Sequence, residues 1–427
     1  MSKTPHLIDD CFLHDKDRMR HDEVVAMLLS RLNRIVDAGY VELQEALGRI
    51  LAENVTAPRN VPLHDNSAVD GYAFAHADYL KAGALSLGAR IAAGDGSPSP
   101  LATGTAARIF TGAVMPPNAD TVAMQEDCVL LDDGASVRIP EGLRPGANRR
   151  LAGEDLKGGD LLLETGQMLR PQDIAALASL GMAKISVFDR LRVAIVSTGN
   201  EIIDPGNAES IAEGQVYDSN RHMLAALCSR LPVDVTDLGI VRDDEQAIKK
   251  VLSRAARNND VILTTGGASR GEEDHIVKMI DRLGKRHLWQ IAIKPGRPMT
   301  FGQIDNCVFL GLPGNPVAAF VCFLLYCHAA MAVLGGGNYR EPVRFQVPAG
   351  FEIKKKKPDR REFLRGWLET DGQGNTLVRK YQRDGSGLIS GLRSADGLIE
   401  LGEEIQTVQQ GDAVNYIPFS QFGIVNS

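Results

Sequence analysis

At 427 residues the chain is too long for a single hydrophobic core, so several domains are expected. With 44% hydrophobic, 24% charged and only 5% aromatic residues, and 43 glycines, it has the composition of a loop-rich α/β enzyme, not of a base-stacking platform. A net charge of −7 argues against a general nucleic-acid binder but leaves room for an anionic small ligand held by local cations.

The first twenty residues carry Asp9, Asp10, Asp15 and Asp17 and no apolar signal region, so a cytoplasmic location is expected. Six scattered cysteines without a C-x-x-C spacing fit reduced thiols. His21–Arg34 places Val24, Val25, Leu28, Leu29 and Leu32 at helical spacing, and a second short helix is expected over Glu42–Leu51. Asp65-Asn66-Ser67 is turn chemistry, and Asp70-Gly71 suits a hairpin. From about Phe74 to Arg150, short runs such as Ala107–Thr111 and Thr121–Gln125 alternate with glycine turns and predict a β-rich unit. Beyond Ala152–Asp155 a helix is expected at Pro171–Leu180, so the first unit reads as interrupted by the β-rich one.

From Leu191 the pattern becomes βαβ: strands at Leu191–Ser197, Val233–Val241, Asp260–Thr265 and Val308–Leu312, helices at Asp218–Leu231, Asp243–Arg257 and Glu272–Leu283. Such alternation predicts a parallel sheet with helices on both faces and a ligand at the carboxyl ends of its strands. The stretch Thr264–His275 follows one strand with adjacent glycines, Ser269, a third glycine and a cluster of acids. Glycine-rich turns and helix starts offer backbone N–H groups to an anion, and acids beside them call for a bridging hard cation such as Mg²⁺. Three more loops, Thr198–Glu201, Lys294–Pro298 and Leu312–Pro316, are expected to converge on the same rim.

Val317–Leu334 is uncharged over 18 residues, which just reaches a membrane span. Pro316 before it, three glycines after it and the lack of a basic flank favour a buried helix. Lys354–Lys357 is expected to be a solvated run, and the tail, including Ala413–Ile417, a small β-barrel or sandwich.

Asp65–Ala73, Phe110–Ala113 with Pro116, Thr198–Glu201, Thr265–Asp274, Lys294–Pro298 and Gly311–Pro316, in this order, resemble the molybdopterin molybdenumtransferase family, which includes the E domain of gephyrin. The resemblance implies a multidomain α/β protein. Its parts are an interrupted N-terminal domain (1–60 and 152–190), a β-rich insert (61–151), a central βαβ molybdopterin-binding domain with a parallel-type sheet (191–340) and a C-terminal β-barrel (341–427). The implied activity is insertion of molybdate into adenylylated molybdopterin, with Mg²⁺-dependent cleavage of the phosphoanhydride and release of AMP.

The family resemblance further implies that Glu201, Asp243 and Asp274 are the metal and phosphate-site acids, and that Lys294, Arg297, Arg365 and Ser386 handle the oxyanion. Asp70, Thr111 and Asp155 match residues that affect activity, with the insert of one protomer facing the pocket of another in a homodimer. Thr198, Gly199, Gly266, Gly267, Ser269, Gly271, Gly296, Pro313, Gly314, Asn315 and Pro316 complete the expected substrate-binding set. Transient contacts with a molybdopterin adenylyltransferase and with apo molybdoenzymes are implied, and no nucleic acid or membrane. The sequence departs from the family pattern at Asn200 (usually Asp), Arg297 (usually Lys), Gln290 (often Lys) and Ala318 (commonly Ser), and adds Arg270. A molybdopterin adenylyltransferase and a non-catalytic cofactor carrier or scaffold are the alternative readings.

Overall fold

The computed structural model describes residues 18–206, 211–266 and 275–424, the side chains of 286–289 apart. Gly267, Ser269, Arg270, Gly271 and Asp274 of the glycine-rich stretch lie outside the described residues.

A six-stranded sheet organises the middle of the chain. Its strands run in the order Val233–Val241, Leu191–Thr198, Val261–Thr265, Cys307–Leu312, Pro298–Ile304, Gly284–Gln290. The first four are parallel, as the βαβ pattern predicts. The last two add antiparallel strands that the sequence pattern did not single out. Along Leu191–Thr198 the side chains alternate. Val193 and Ile195 join one core with Leu224 and the apolar helix, whereas Ala194 and Val196 join another with Ile248, Leu252, Ile276 and Ile280. This period-two alternation is why the sheet is covered on both faces. Each fully buried Leu, Ile or Phe contributes about 1.5–3 kcal/mol.

The helix Pro316–Leu334 is long and apolar enough to cross a membrane, yet 83% of its apolar window is buried inside the protein. It is a core helix, with a π-helical turn at Phe323–Cys327. The N-terminal helix His21–Arg31 lies on it, with Val24, Val25 and Leu28 in the core that holds Met331 and Leu334.

The expected helix over Glu42–Leu51 does not form. Ala38–Glu42 is a strand paired antiparallel with Lys184–Phe188, followed by one 3₁₀ turn, Leu43–Glu45. The chain turns at Gly48, in the left-handed region at φ +72°, which ends any helix there. Val55–Thr56 pairs with Leu161–Leu163, so the chain leaves this unit and returns to it. Between the two lies a six-stranded sheet in the order Thr121–Met124, Gly71–Phe74, Thr105–Ile109, Leu85–Ile91, Ser136–Arg138, Val129–Leu131. Gly71 opens a strand here and is not a hairpin tip. A Cβ on it would sit 1.9 Å from the Ala123 carbonyl oxygen.

In the tail, Thr376–Lys380, Arg361–Thr370, Gly397–Leu401, Ala413–Pro418 and Phe345–Pro348 pair in succession. Ala349 bridges back to Val378, closing a small barrel. The short strand Ile293–Lys294 pairs in parallel with Arg361 and Glu362, so the middle and tail sheets are joined through it.

Candidate functional site

One glycine lets the loops at the strand ends meet. Gly266, at φ +87°, lies so close to its neighbour that a Cβ would be 3.1 Å from the Thr198 carbonyl oxygen. Its N–H donates to the Leu312 carbonyl at 3.2 Å. Asn220, buried on the helix Ser219–Cys228, ties two loops together. Its Nδ2 donates to Thr265 Oγ1 at 2.9 Å and to the Gly314 carbonyl at 2.8 Å. No motif marks Asn220; only its place in the first turn of a helix facing the rim reveals it.

The loop Lys294–Pro298 reaches the rim differently from the expectation. It precedes the antiparallel strand Pro298–Ile304 and does not follow one of the four parallel strands of the central sheet. An antiparallel strand begins at the edge where its parallel neighbours end, so the loop still lies on the shared rim. The loop is buttressed from below. A Cβ on Gly296, at φ +107°, would fall 2.5 Å from Cys322 Sγ, and that thiol donates to the Gly296 carbonyl at 3.5 Å. Burial pushes the Cys322 thiol up to about 12, so it stays protonated as a donor.

A cavity of about 420 Å³ opens beside this loop. Among its lining residues are Lys294, Gly296, Arg297, Pro313, Asn315 and Ser386. Arg18, Lys357 and Arg360 add three cations that the sequence pattern did not assign to the site, and among the described residues Asp384 supplies the one carboxylate of the lining. Ser386 arrives because its carbonyl accepts the Val317 N–H at 2.9 Å, at the start of the core helix. Glu362 lies behind the wall, 2.6 Å from Arg360 and 3.6 Å from Lys294. Arg297 donates to Gln290 Oε1 at 2.8 Å.

Arg365 is buried and does not line this cavity. Its guanidinium donates to the carbonyls of Leu388 (3.0 Å) and Arg383 (2.5 Å) and lies 5.0 Å from the Tyr381 ring centroid. It therefore shapes the segment that carries Asp384 and Ser386. The lysine run is likewise not wholly solvated. Lys356 is 3% exposed, and its ammonium donates to the carbonyls of Arg360 at 2.7 Å and Gly402 at 2.8 Å.

A second cavity, about 710 Å³, is lined by Gly199, Asn200, Ile202, Asp204, Arg242 and their neighbours. Asn200 Oδ1 accepts the Asp243 N–H at 3.3 Å, which joins the loop of exposed Glu201 to that of Asp243. An Asp at position 200 would accept the same bond, so the departure from the family pattern leaves this link intact. Carboxylate oxygens on adjoining loops fit a hard cation. Among the described residues no three His, Cys, Asp or Glu side chains gather as a metal cluster, and Asp274, the third expected acid, lies outside them. Beneath this cavity the buried Arg221 is clamped by Asp218 at 2.9 Å, Asp237 at 2.5 Å and Asp204.

Asp70 and Thr111 form a pair elsewhere, in the β-rich unit. Asp70 Oδ1 accepts the Thr111 N–H at 2.8 Å and the Thr111 hydroxyl at 2.7 Å, and these bonds hold its carboxyl below the usual carboxylate range. Asp155 is exposed, its N–H donating to the Val61 carbonyl at 3.1 Å. None of the three lines either cavity of its own chain.

The βαβ rim with its glycine and GLPGNP loops defines a molybdopterin-binding type of α/β protein. A family model described as "Probable molybdopterin binding domain" matches residues 194–332. The flanking parts match the MoeA N-terminal region (domain I and II) over 19–181 and the MoeA C-terminal region (domain IV) over 346–419. A molybdopterin molybdenumtransferase of Haemophilus influenzae is 36% identical over 400 residues, covering 93% of this chain and 98% of that protein. One of Nostoc is 36% identical over 402 residues, covering 92% and 86%. A crystal structure of the molybdopterin biosynthesis MoeA protein of Pyrococcus horikoshii aligns with TM-score 0.80 and 29% identity, over 94% of this chain and all of that one. The chain belongs to the molybdopterin molybdenumtransferase family, and it is an enzyme, a transferase.

Proposed function

We propose that this enzyme inserts molybdate into adenylylated molybdopterin, releasing AMP and molybdenum cofactor. The observation that carries the reading is the cavity that, among the described residues, five cations and one carboxylate line, in a chain whose net charge is −7. Such a concentration of positive charge suits a tetrahedral oxyanion. Lys294 and Arg297 hold the oxyanion from the loop fixed by Cys322, and Ser386 donates to it from the opposite wall. Thr198, Gly199, Gly314 and Asn315 offer backbone N–H groups and small side chains to the pterin phosphate, Gly266 sets the close approach of their loops, and Gly267, Ser269 and Gly271 belong to the same expected set. Glu201, Asp243 and Asp274 would hold Mg²⁺, which neutralises charge developing on the phosphate oxygens as the anhydride breaks. Arg365, Pro313 and Pro316 hold loop shape.

The four-part division into 1–60 with 152–190, 61–151, 191–340 and 341–427 belongs to the same reading, supported by the pairing of Val55–Thr56 with Leu161–Leu163. So does a cytoplasmic homodimer in which Asp70, Thr111 and Asp155 of one protomer face the cavity of its partner. It is supported by these residues lining neither of the two cavities of their own chain. Contacts with an adenylyltransferase and apo molybdoenzymes would be transient. The test mixes purified protein with adenylylated molybdopterin, molybdate and Mg²⁺ and follows AMP release and activation of an apo molybdoenzyme. Glu201→Ala and Asp274→Ala should each cut AMP release severely in a folded protein. No AMP above background in the unaltered enzyme would overturn the proposal.

A further inference from the structure

We propose that the segment 19–22 is a strap that sets the Lys294–Arg297 loop from outside, with Asp22 as a positioning residue for oxyanion binding there. The proposal rests on the reading that this loop takes an oxyanion. Asp22 touches no substrate group itself; it acts through Arg361, 339 residues away in the chain.

The strap is an extra strand laid along the approach to the loop. Met19 donates its N–H to the Gln290 carbonyl at 3.0 Å, and its carbonyl accepts the Ala292 N–H at 2.8 Å, in a parallel bridge with Ile291. From the other side the Ala292 carbonyl accepts the Arg361 N–H at 2.8 Å, and Ile293 and Lys294 pair with Arg361 and Glu362. Residues 290–294 are therefore held between the strap and the tail barrel by main-chain bonds. Without the strap, the Gln290 carbonyl and the Ala292 N–H lose their partners. Both cations of the loop hang on this segment. Gln290 accepts from Arg297 at 2.8 Å, and the Ile291 N–H donates to the Arg297 carbonyl at 3.0 Å. Lys294 is met from behind by Glu362 at 3.6 Å.

Two side chains fix the strap in place. The buried His21 ring packs edge-on against Tyr326 of the core helix, with centroids 5.6 Å apart, and against Phe363 of the barrel at 5.4 Å. Asp22 then takes the Arg361 guanidinium with both oxygens, each at 2.8 Å. Glu400 and Glu403 hold the same guanidinium from the barrel, at 3.1 Å each. Arg361 directly precedes Glu362, so this junction lies one residue from the carboxylate that meets Lys294 and Arg360. The Asp22 side chain is 67% exposed, so its ion pair adds little to folding. A two-armed pair nevertheless fixes direction. A group that contributes little stability but orients the strand beside a binding loop is suited to positioning.

The test compares Asp22→Asn, Asp22→Glu and Met19→Pro in the full chain. Equilibrium dialysis measures molybdate affinity, and turnover assays separate the molybdate KM from kcat. Glu23 still closes the helix start by accepting the Arg20 N–H at 2.8 Å, so Asp22→Asn should leave the circular dichroism spectrum unchanged. It should weaken molybdate binding and raise its KM at least about fivefold, with kcat within about twofold. Asp22→Glu should recover most of the affinity, because it restores the carboxylate. Met19→Pro deletes the N–H given to Gln290 and should reproduce the loss. In both impaired variants hydrogen exchange should accelerate across 290–294 and stay unchanged in the strands Leu191–Thr198 and Val261–Thr265. Normal affinity and normal exchange in Asp22→Asn and Met19→Pro would overturn the strap. A loss of affinity with faster exchange throughout the central sheet would overturn it too, since it marks general loosening. No molybdate uptake by the unaltered protein would overturn the oxyanion reading itself.

Discussion

Replacing Gly296 by Ala tests whether the cation loop is set by the core beneath it. The new Cβ would lie 2.5 Å from Cys322 Sγ and 3.1 Å from Ile293 Cδ1, where carbon contacts are comfortable at about 3.5–4.0 Å. Relieving the first contact needs a shift of about 1 Å, and overpacking of this kind costs about 1–3 kcal/mol. The backbone at φ +107° adds strain of about 1–3 kcal/mol for a residue with a Cβ. The expected loss is therefore about 2–6 kcal/mol, read by urea denaturation followed by circular dichroism. A loop displaced by 1 Å carries Lys294 and Arg297 with it, and turnover should fall on the order of 100-fold. In a Cys322→Ala background the sulfur is gone and only the backbone strain and the milder Ile293 contact remain. The cost of Gly296→Ala should then shrink by about 1–3 kcal/mol, a coupling that a double-mutant cycle measures. Equal costs in the two backgrounds would refute the buttress argument, and so would a stable, fully active single variant.

His21 should make the protein acid-sensitive. Burial, with Arg361 close by, lowers it from 6.5 to about 3, and its Nδ1 lies 3.0 Å from the Tyr326 hydroxyl. The unfolded chain therefore takes up this proton first. The stabilisation is complete above pH 6.5 and is lost as pH falls toward 3, on the order of 3 kcal/mol by pH 4. His21→Gln should flatten the stability–pH curve over that range, leaving the slope that His328, lowered by burial to about 4, contributes in the same direction. Asn220→Ala should cost about 1–3 kcal/mol in urea denaturation by leaving Thr265 Oγ1 and the Gly314 carbonyl without their donor. Asn220→Asp should be no better, because a carboxylate cannot donate to that carbonyl. Lys356→Met keeps the apolar stem but strips the Arg360 and Gly402 carbonyls of their donor, so hydrogen exchange across 357–362 should accelerate while exchange in the central sheet does not.

The parts of the fold that announce themselves are those with a single strong period or cap. Val233–Val241 forms over the expected span, and Asp218 caps its helix by accepting the Arg221 N–H. The apolar helix after Pro316 is buried, as its missing basic flank suggests. The antiparallel strand Gly284–Gln290 is hidden because Lys285, Arg286 and His287 leave it no apolar run or alternation to read. Glu42–Leu51 misleads because isolated leucines at helical spacing also suit a short strand with a 3₁₀ turn, and pairing with Lys184–Phe188 decides between them. In the site, loops with glycine and proline are legible, since the backbone there needs particular residues. Asn220, Lys356 and Arg365 are not, because each acts through carbonyls that only the folded chain brings near.

The two departures from the family pattern on the cation loop are best understood as one. Arg297 and Gln290 stand where lysines are usual or frequent, and the structure bonds them to each other at 2.8 Å. An ammonium at 290 would face the guanidinium with like charge, whereas an amide oxygen accepts from its fork. Arginine at 297 offers more donors than lysine, so one arm can be given to Gln290 while the rest face the cavity. The strand that begins at Ile293 pairs with the tail barrel, and Glu362 on that barrel takes both Lys294 and Arg360. Charge on the loop is thus set from three directions: a thiol below, an amide beside and a carboxylate behind. Changing Arg297 back to Lys alone would leave Gln290 with a single flexible donor. Changing Gln290 alone to Lys would set two cations against each other with no carboxylate to spare. Lys at both positions would still set two cations against each other, so Gln290→Lys should impair oxyanion binding with either residue at 297, whereas Arg297→Lys alone keeps its amide partner and should be the milder change.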